Sequence, residues 1–316
     1  MIRVSNLTKY YGERLAVNSI SFQVARGEIV GLLGPNGAGK TTTMRILTGF
    51  LMPTSGDAYV ADHNMAENSL EGRRLIGYLP EAIPLYTDMT VRDYLEFAGR
   101  LRGVDKTRIA SRIADVVTLC HLEEYYNVLI GKLSRGFRQR VGVAQAVIHE
   151  PPVLILDEPT MGIDPIQVAQ TRQLIKDLGK EHTILLSSHI LPEVEMVCDR
   201  VIIINEGRII AEDRIENLSA LLRGAQSIWV EIRGPTREVT AALKALPGVQ
   251  AVQYEAPYHF VDCPPDQDIR GALTDMVVRH GWALLSMGQA ELSLEDIFLQ
   301  LTIEEGQASP ESGEGA

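Results

Sequence analysis

The sequence predicts an α/β protein in two parts, a large one built on a buried parallel sheet and a small one of two helices on four strands. Three observations carry that expectation. Short apolar runs at 28–33, 153–156, 183–187 and 201–205 are separated by stretches of helical spacing, the mark of strands covered on both faces. The first run opens directly into a glycine-rich loop and then a helix-like stretch. After residues 223–224 the pattern changes to shorter elements in the order βαββαβ.

Each element has its own signal. Residues 2–7 and 17–24 cluster or alternate apolar side chains about a turn at Gly12, so both read as strands. Residues 40–49 read as a helix that stops at Gly49. Residues 90–150 form an expected all-helical insert with helices at 90–102, 106–120 and 136–149. Val91, Leu95, Ala98 and Leu101 fall on one helix face there. Pro151 and Pro152 end the insert, and further helices are expected near 165–179 and 190–197. In the smaller part, strands at 228–233, 250–255, 258–263 and 282–287 and helices at 236–246 and 267–280 give a ferredoxin-like sandwich. A short amphipathic piece follows at 294–301. Residues 304–316 carry no Lys or Arg, cannot bury a core, and are expected to be disordered. The expected division is 1–222, 225–302 and a tail at 303–316.

Composition narrows the partners. The 316 residues are 45% hydrophobic and 22% charged, the balance of a globular protein. A net charge of -11 argues against a chain built to wrap nucleic acid, which needs a basic surface. Cys120, Cys198 and Cys263 are far apart with no CxxC pair, which argues against a zinc site or a disulfide framework and for a reducing compartment. Residues 1–15 hold no apolar stretch of signal-peptide type. No apolar run approaches the roughly 18 residues that span a bilayer. Work at a membrane would therefore need a partner.

Gly34-Pro35-Asn36-Gly37-Ala38-Gly39-Lys40-Thr41 fits GxxxxGK[ST] between a buried strand and a helix. Glycines let the backbone N–H groups curl toward phosphate oxygens, and the following helix adds its positive end. Lys40 supplies charge to the outer phosphates and Thr41 a hydroxyl for Mg²⁺. The loop and the adjoining Thr42 are the expected nucleotide-binding residues. Asp157 and Glu158 end the apolar run at 153–156, where open α/β sheets place ligands. Asp157 is suited to hold Mg²⁺, and Glu158 to act as general base on the attacking water.

Between these motifs lies Leu133-Ser134-Arg135-Gly136-Phe137-Arg138-Gln139-Arg140, which resembles the LSGGQ signature of the ATP-binding cassette (ABC) family. Residues 1–222 resemble that family throughout, in its motif order. The resemblance implies a RecA-like core with an antiparallel β subdomain and a helical subdomain. Tyr11, with Tyr10 as its rival, resembles the aromatic residue that stacks on adenine. Gly77-Tyr78-Leu79-Pro80-Glu81 falls at the Q-loop, with Glu81 in place of Gln and near Mg²⁺. Met161-Gly162-Ile163-Asp164 resembles the D-loop and His189 the switch histidine, a catalytic role with Glu158 and Glu81. Arg135 and Phe137 depart from the signature, whereas Ser134 and Gly136, which face the opposite subunit's nucleotide in the family, are kept. Arg138 and Arg140 read as a solvated basic face.

The resemblance implies ATP and Mg²⁺ as ligands, a homodimer or paired cassettes closing on two ATP molecules, and a separate membrane permease, most similar to bacterial exporters. It implies a cytoplasmic protein held at the inner membrane face, with no nucleic-acid partner. Competing readings are a soluble ABC ATPase acting on ribosomes or DNA, a cassette pair driving a non-transport envelope complex, and, more distantly, a small-molecule kinase.

Overall fold

A computed structural model of the chain describes residues 1–215, 217, 226–264 and 267–289. The expected helix at 294–301 and the tail lie outside them. The chain divides into two compact units, Met1–Arg214 and Ile215–Ala316.

Alternation of apolar and polar residues builds the first sheet of the larger unit. β1 (Ile2–Tyr11) and β2 (Arg14–Val24) pair antiparallel across a two-residue turn. β4 (Ser55–Val60) and β5 (His63–Asn64) extend them in the order β2-β1-β4-β5. Ile2, Val4, Leu7, Val17, Ile20 and Val60 point into one core.

The second sheet carries the buried strands: β3 (Ile29–Leu33), β6 (Ile76–Leu79), β7 (Val153–Leu156), β8 (Thr183–Ser188), β9 (Arg200–Asn205) and β10 (Arg208–Arg214). Their order is β10-β9-β3-β8-β7-β6. Five run parallel, and β10 returns antiparallel beside β9. Every residue of β3, β7 and β8 is buried, as continuous apolar runs demand. The sequence reading missed β4, β5, β6, β10 and α2 (Ser69–Arg74).

α1 (Lys40–Leu47) follows β3. The insert holds α3 (Val91–Leu101), α4 (Ile109–Leu119) and α5 (Arg135–Val147). Thr90 caps α3 by accepting the Asp93 N–H, and Ser134 caps α5 by accepting the Phe137 N–H. Val91, Leu95 and Ala98 are buried as expected, but Leu101 is 73% exposed. It ends its helix just before the turn at Gly103, where φ is 80°, although Ala98 and Gly99 of the same last turn are buried. α6 (Pro165–Gly179) starts on an Asp164 cap with proline at its first position. α7 (Leu191–Glu195) follows β8.

In the smaller unit, β11 (Gln226–Arg233), β12 (Ala251–Glu255), β13 (Tyr258–Cys263) and β14 (Ala283–Gln289) form an antiparallel sheet in the order β12-β13-β11-β14. With α8 (Thr236–Lys244) and α9 (Arg270–Arg279) this is the expected ferredoxin-like order. Ile228, Val230, Val239, Leu243, Val261 and Leu273 make its core.

Candidate functional site

The strands β3, β8, β7 and β6 are consecutive neighbours and run parallel. Their carboxyl ends therefore deliver four loops to one edge of the sheet, where an open α/β fold binds ligands. Gly34–Thr41 leaves β3, His189 leaves β8, Asp157 and Glu158 leave β7, and Glu81 leaves β6.

The glycine-rich loop is held close to its surroundings. Gly39 precedes α1 at φ 108°, and a side-chain carbon there would lie 2.6 Å from the Ala16 carbonyl oxygen. Only glycine fits that backbone and that space. Lys40 folds under the loop. Its Nζ donates to the carbonyl oxygens of Gly34 at 2.7 Å and Pro35 at 3.2 Å, and stands 3.3 Å from Glu158 Oε1.

The acid pair divides between two partners sets. Asp157 Oδ1 accepts from Ser187 Oγ at 2.7 Å and from Thr41 Oγ1 at 3.2 Å. Ser187 Oγ in turn accepts the Glu158 N–H at 2.9 Å. Glu158 has left-handed backbone, φ 49°, and its carboxylate lies between Lys40 and His189, whose Nδ1 is 2.9 Å from Oε2. Lys40 and Glu158 are both almost fully buried. A lone buried charge costs several kcal/mol or more, so each needs the other's partnership.

Burial pushes the Asp157 carboxyl above its usual range, and the neighbouring Glu81 and Glu158 act in the same direction, opposed by the Ser187 and Thr41 hydroxyls. Asp157 Oδ2 is buried without a hydrogen-bond partner. An orphaned carboxylate oxygen beside the Thr41 hydroxyl is a donor set that fits Mg²⁺. Among the described residues no group of three or more His, Cys, Asp or Glu could hold a metal by itself. That suits Mg²⁺, which keeps waters and substrate phosphates as ligands.

A cleft of about 590 Å³ opens over the loop. Tyr11, Asn36, Gly37, Gly39, Lys40, Thr41, Thr42, Glu81 and Glu158 line it, and Tyr10 does not. Gly34 and Ala38 are buried beneath the loop, and His189 reaches the cleft through Glu158. Three lining residues carried no signal in the sequence, Arg14, Ala16 and Arg45; Met161, the first residue of the D-loop run, lines the cleft as well. Ser187, which orients both acids, reads in the sequence as a strand end and as part of the run Ser187-Ser188-His189, with no role of its own.

Ser134 and Gly136 lie outside this cleft, at the start of α5. Gly136 packs against Gln167 of α6 so closely that a side-chain carbon would overlap the Gln167 amide oxygen. Arg135 lies against Gly162. Phe137 stacks on Tyr125 with ring centroids 4.0 Å apart, and the Arg140 guanidinium sits 5.1 Å from its ring centre. Arg140 is buried and donates to Gln170 Oε1, and Arg138 donates to the carbonyl oxygens of Ile130 and Gly131. The reading of these two arginines as a solvated face is corrected: they fasten α5 to its neighbours.

A phosphate-type loop after β3 and an acid pair after β7, at the same end of one parallel sheet with β8 between them, define a phosphate-loop nucleotide-binding domain. The family model described as ABC transporter matches residues 17–161. An uncharacterized ABC transporter ATP-binding protein, YxlF of Bacillus subtilis, is 36% identical over 95% of this chain and 99% of its own. The bacitracin transport ATP-binding protein BcrA of Bacillus licheniformis is 35% identical over 95% of this chain and 97% of its own. The dimeric post-hydrolysis structure of the ATP-binding cassette MJ0796, bound to ADP and Pi, superposes with a TM-score of 0.62 at 25% identity, covering 68% of this chain and 99% of that one. The chain belongs to the ABC transporter family, as an ATP-binding subunit. Among the described residues no helix is long and apolar enough to cross a membrane.

Proposed function

We propose that this subunit hydrolyses ATP to drive an exporter, working as a dimer against a separate membrane permease at the inner face of the membrane. The transport role named for the bacitracin relative and the dimer formed by the MJ0796 cassette support that reading.

The observation that carries it is the position of Glu158, a buried carboxylate suspended between the loop lysine and His189. Bound ATP draws Lys40 onto its outer phosphates, which frees Glu158 to polarise the attacking water. Ser187 keeps Glu158 in line through its backbone N–H. His189 meets the γ-phosphate and reports its loss. Tyr11 stacks on adenine, and the N–H groups of residues 34–42 cradle the phosphates. Mg²⁺, held through Asp157 and Thr41 with Glu81 nearby, supplies charge neutralisation on the phosphates. Ser134 and Gly136 complete the opposite subunit's site, so ATP favours the closed dimer and hydrolysis releases it. Glu81 and the insert at about 90–150 pass this motion to the permease.

Substitution Glu158→Gln tests the reading. ATP binding stays, turnover falls by about a hundredfold or more, and an ATP-bound dimer accumulates on size-exclusion chromatography. A normal hydrolysis rate in that variant refutes the role of Glu158.

A further inference from the structure

The five charged side chains that line the nucleotide cleft are not equivalent. Lys40, Arg14 and Arg45 are cationic, and Glu81 and Glu158 are anionic. The lining therefore carries a net charge of +1, and without Arg14 it is neutral. A neutral cleft is poorly suited to a polyphosphate, which brings several negative charges and must leave water to enter.

Two of the three cations already have partners. Lys40 is engaged by Glu158 and two loop carbonyls. Arg45 lies 6.0 Å from the Phe50 ring centre, and its charge acts on the Tyr78 hydroxyl. Among the described residues the Arg14 guanidinium has no carboxylate or hydrogen-bonding partner. It is also aimed at the loop: Arg14 Nη2 lies 3.9 Å from where a side-chain carbon on Gly37 would stand. The hairpin explains the placement. Arg14 opens β2 directly opposite Tyr11 at the end of β1, so one turn presents an aromatic ring and a guanidinium to the same cleft.

We propose that Arg14 is a phosphate-binding residue, whose guanidinium donates to a phosphate oxygen of the nucleotide held by the Gly34–Thr41 loop. Its planar fork suits phosphate geometry. It offers free charge at the moment of entry, before Lys40 has left Glu158. The antiparallel sheet thus grips the nucleotide at two points, adenine through Tyr11 and phosphate through Arg14. This inference rests on the reading of the loop as the ATP site, and it adds a residue outside every motif of that reading.

Equilibrium titration of the full-length protein with the magnesium complex of a non-hydrolysable ATP analogue tests it. Arg14→Ala raises the dissociation constant by about tenfold or more, the scale for a hydrogen bond to a charged group, and flattens its dependence on salt. Arg14→Lys restores part of the affinity. Adenosine, which has no phosphate, competes equally well against wild type and Arg14→Ala, whereas a displaced Tyr11 would weaken it. The exposed position of Arg14 leaves the thermal midpoint of the free protein unchanged. Unaltered affinity and salt dependence in Arg14→Ala, beside a loss of binding in Lys40→Ala, overturns this proposal and leaves the nucleotide site standing. Unaltered binding in both variants overturns the two together.

Discussion

The two units of this chain bury different things. In Met1–Arg214 the strand ends bury Lys40, Asp157, Glu158, Ser187 and Ser188. Among the described residues of the smaller unit, His259 is the one buried polar side chain. It is tied to Thr240 Oγ1 at 3.1 Å and held toward its neutral form by burial. Apolar burial stabilises at about 25 cal/mol per Å² without geometric conditions. Buried charges stabilise nothing unless each is paired, and pairs are often no better than an apolar core. A fold that keeps Lys40 against Glu158, with His189 beyond, holds an arrangement that stability alone does not favour. The smaller unit has no comparable arrangement among its described residues, and its sandwich reads as packing.

That contrast can be broken most forcefully in the smaller unit. Both tryptophans of the chain, Trp229 and Trp282, lie there, so their fluorescence reports that unit while nucleotide affinity reports the other. Leu273 is fully buried in its core. Leu273→Ala is expected to destabilise the smaller unit by roughly 2–5 kcal/mol, read as an earlier fluorescence transition in urea. ATP affinity stays within about twofold if the units divide their tasks as described. A parallel loss of affinity would show that the sandwich supports the nucleotide site.

A smaller effect sharpens the comparison within the larger unit. His149 lies between α5 and β6, with Nε2 3.2 Å from the Ile76 carbonyl oxygen. Burial, aided by the Arg102 charge, pushes its pKa down from 6.5 to about 4. The folded state therefore resists the proton that the unfolded chain accepts. Above pH 6.5 the group costs nothing; stability falls as pH drops from there toward 4, and the loss is complete below. The full loss is on the order of 3 kcal/mol. His149→Gln keeps a donor for Ile76 and removes the titration. Urea unfolding followed by far-UV circular dichroism at pH 7 and pH 5 checks this: the gap between the two pH values narrows in the variant. An unchanged gap would assign the acid sensitivity elsewhere.

Legibility followed the range of the forces involved. The phosphate loop and the acid pair were readable because their chemistry sits in contiguous residues with a fixed context. β3, β7, β8 and β9 were readable because strands covered on both faces need unbroken apolar runs. β6 was not, since its short run is broken by Gly77, where a side-chain carbon would lie 2.2 Å from the Ala146 carbonyl oxygen, and by the half-buried Tyr78. Arg14 carried no local signal at all: its relevance comes from a hairpin folding beside Gly37. Arg140 misled for the same reason, because its partner Gln170 is supplied by the packing of α6 against α5.

Leu101 gives the finest test of this difference between local pattern and packing. Its spacing from Val91, Leu95 and Ala98 assigns it to the core face, yet it is 73% exposed while those three are buried. Periodicity specifies an angle around the helix axis; whether anything lies below that angle depends on how far the opposing elements reach. Here Ala98 and Gly99 of the final turn of α3 are still covered, and Arg100 and Leu101 at its end are exposed. Leu101→Ser is expected to change stability by less than about 0.5 kcal/mol, the range for surface positions, whereas Leu95→Ala at the fully buried position costs roughly 2–5 kcal/mol. Denaturation of both variants, followed by circular dichroism, measures the two side by side. Equal losses would mean that Leu101 is covered in the folded protein and that the periodic pattern was the better guide.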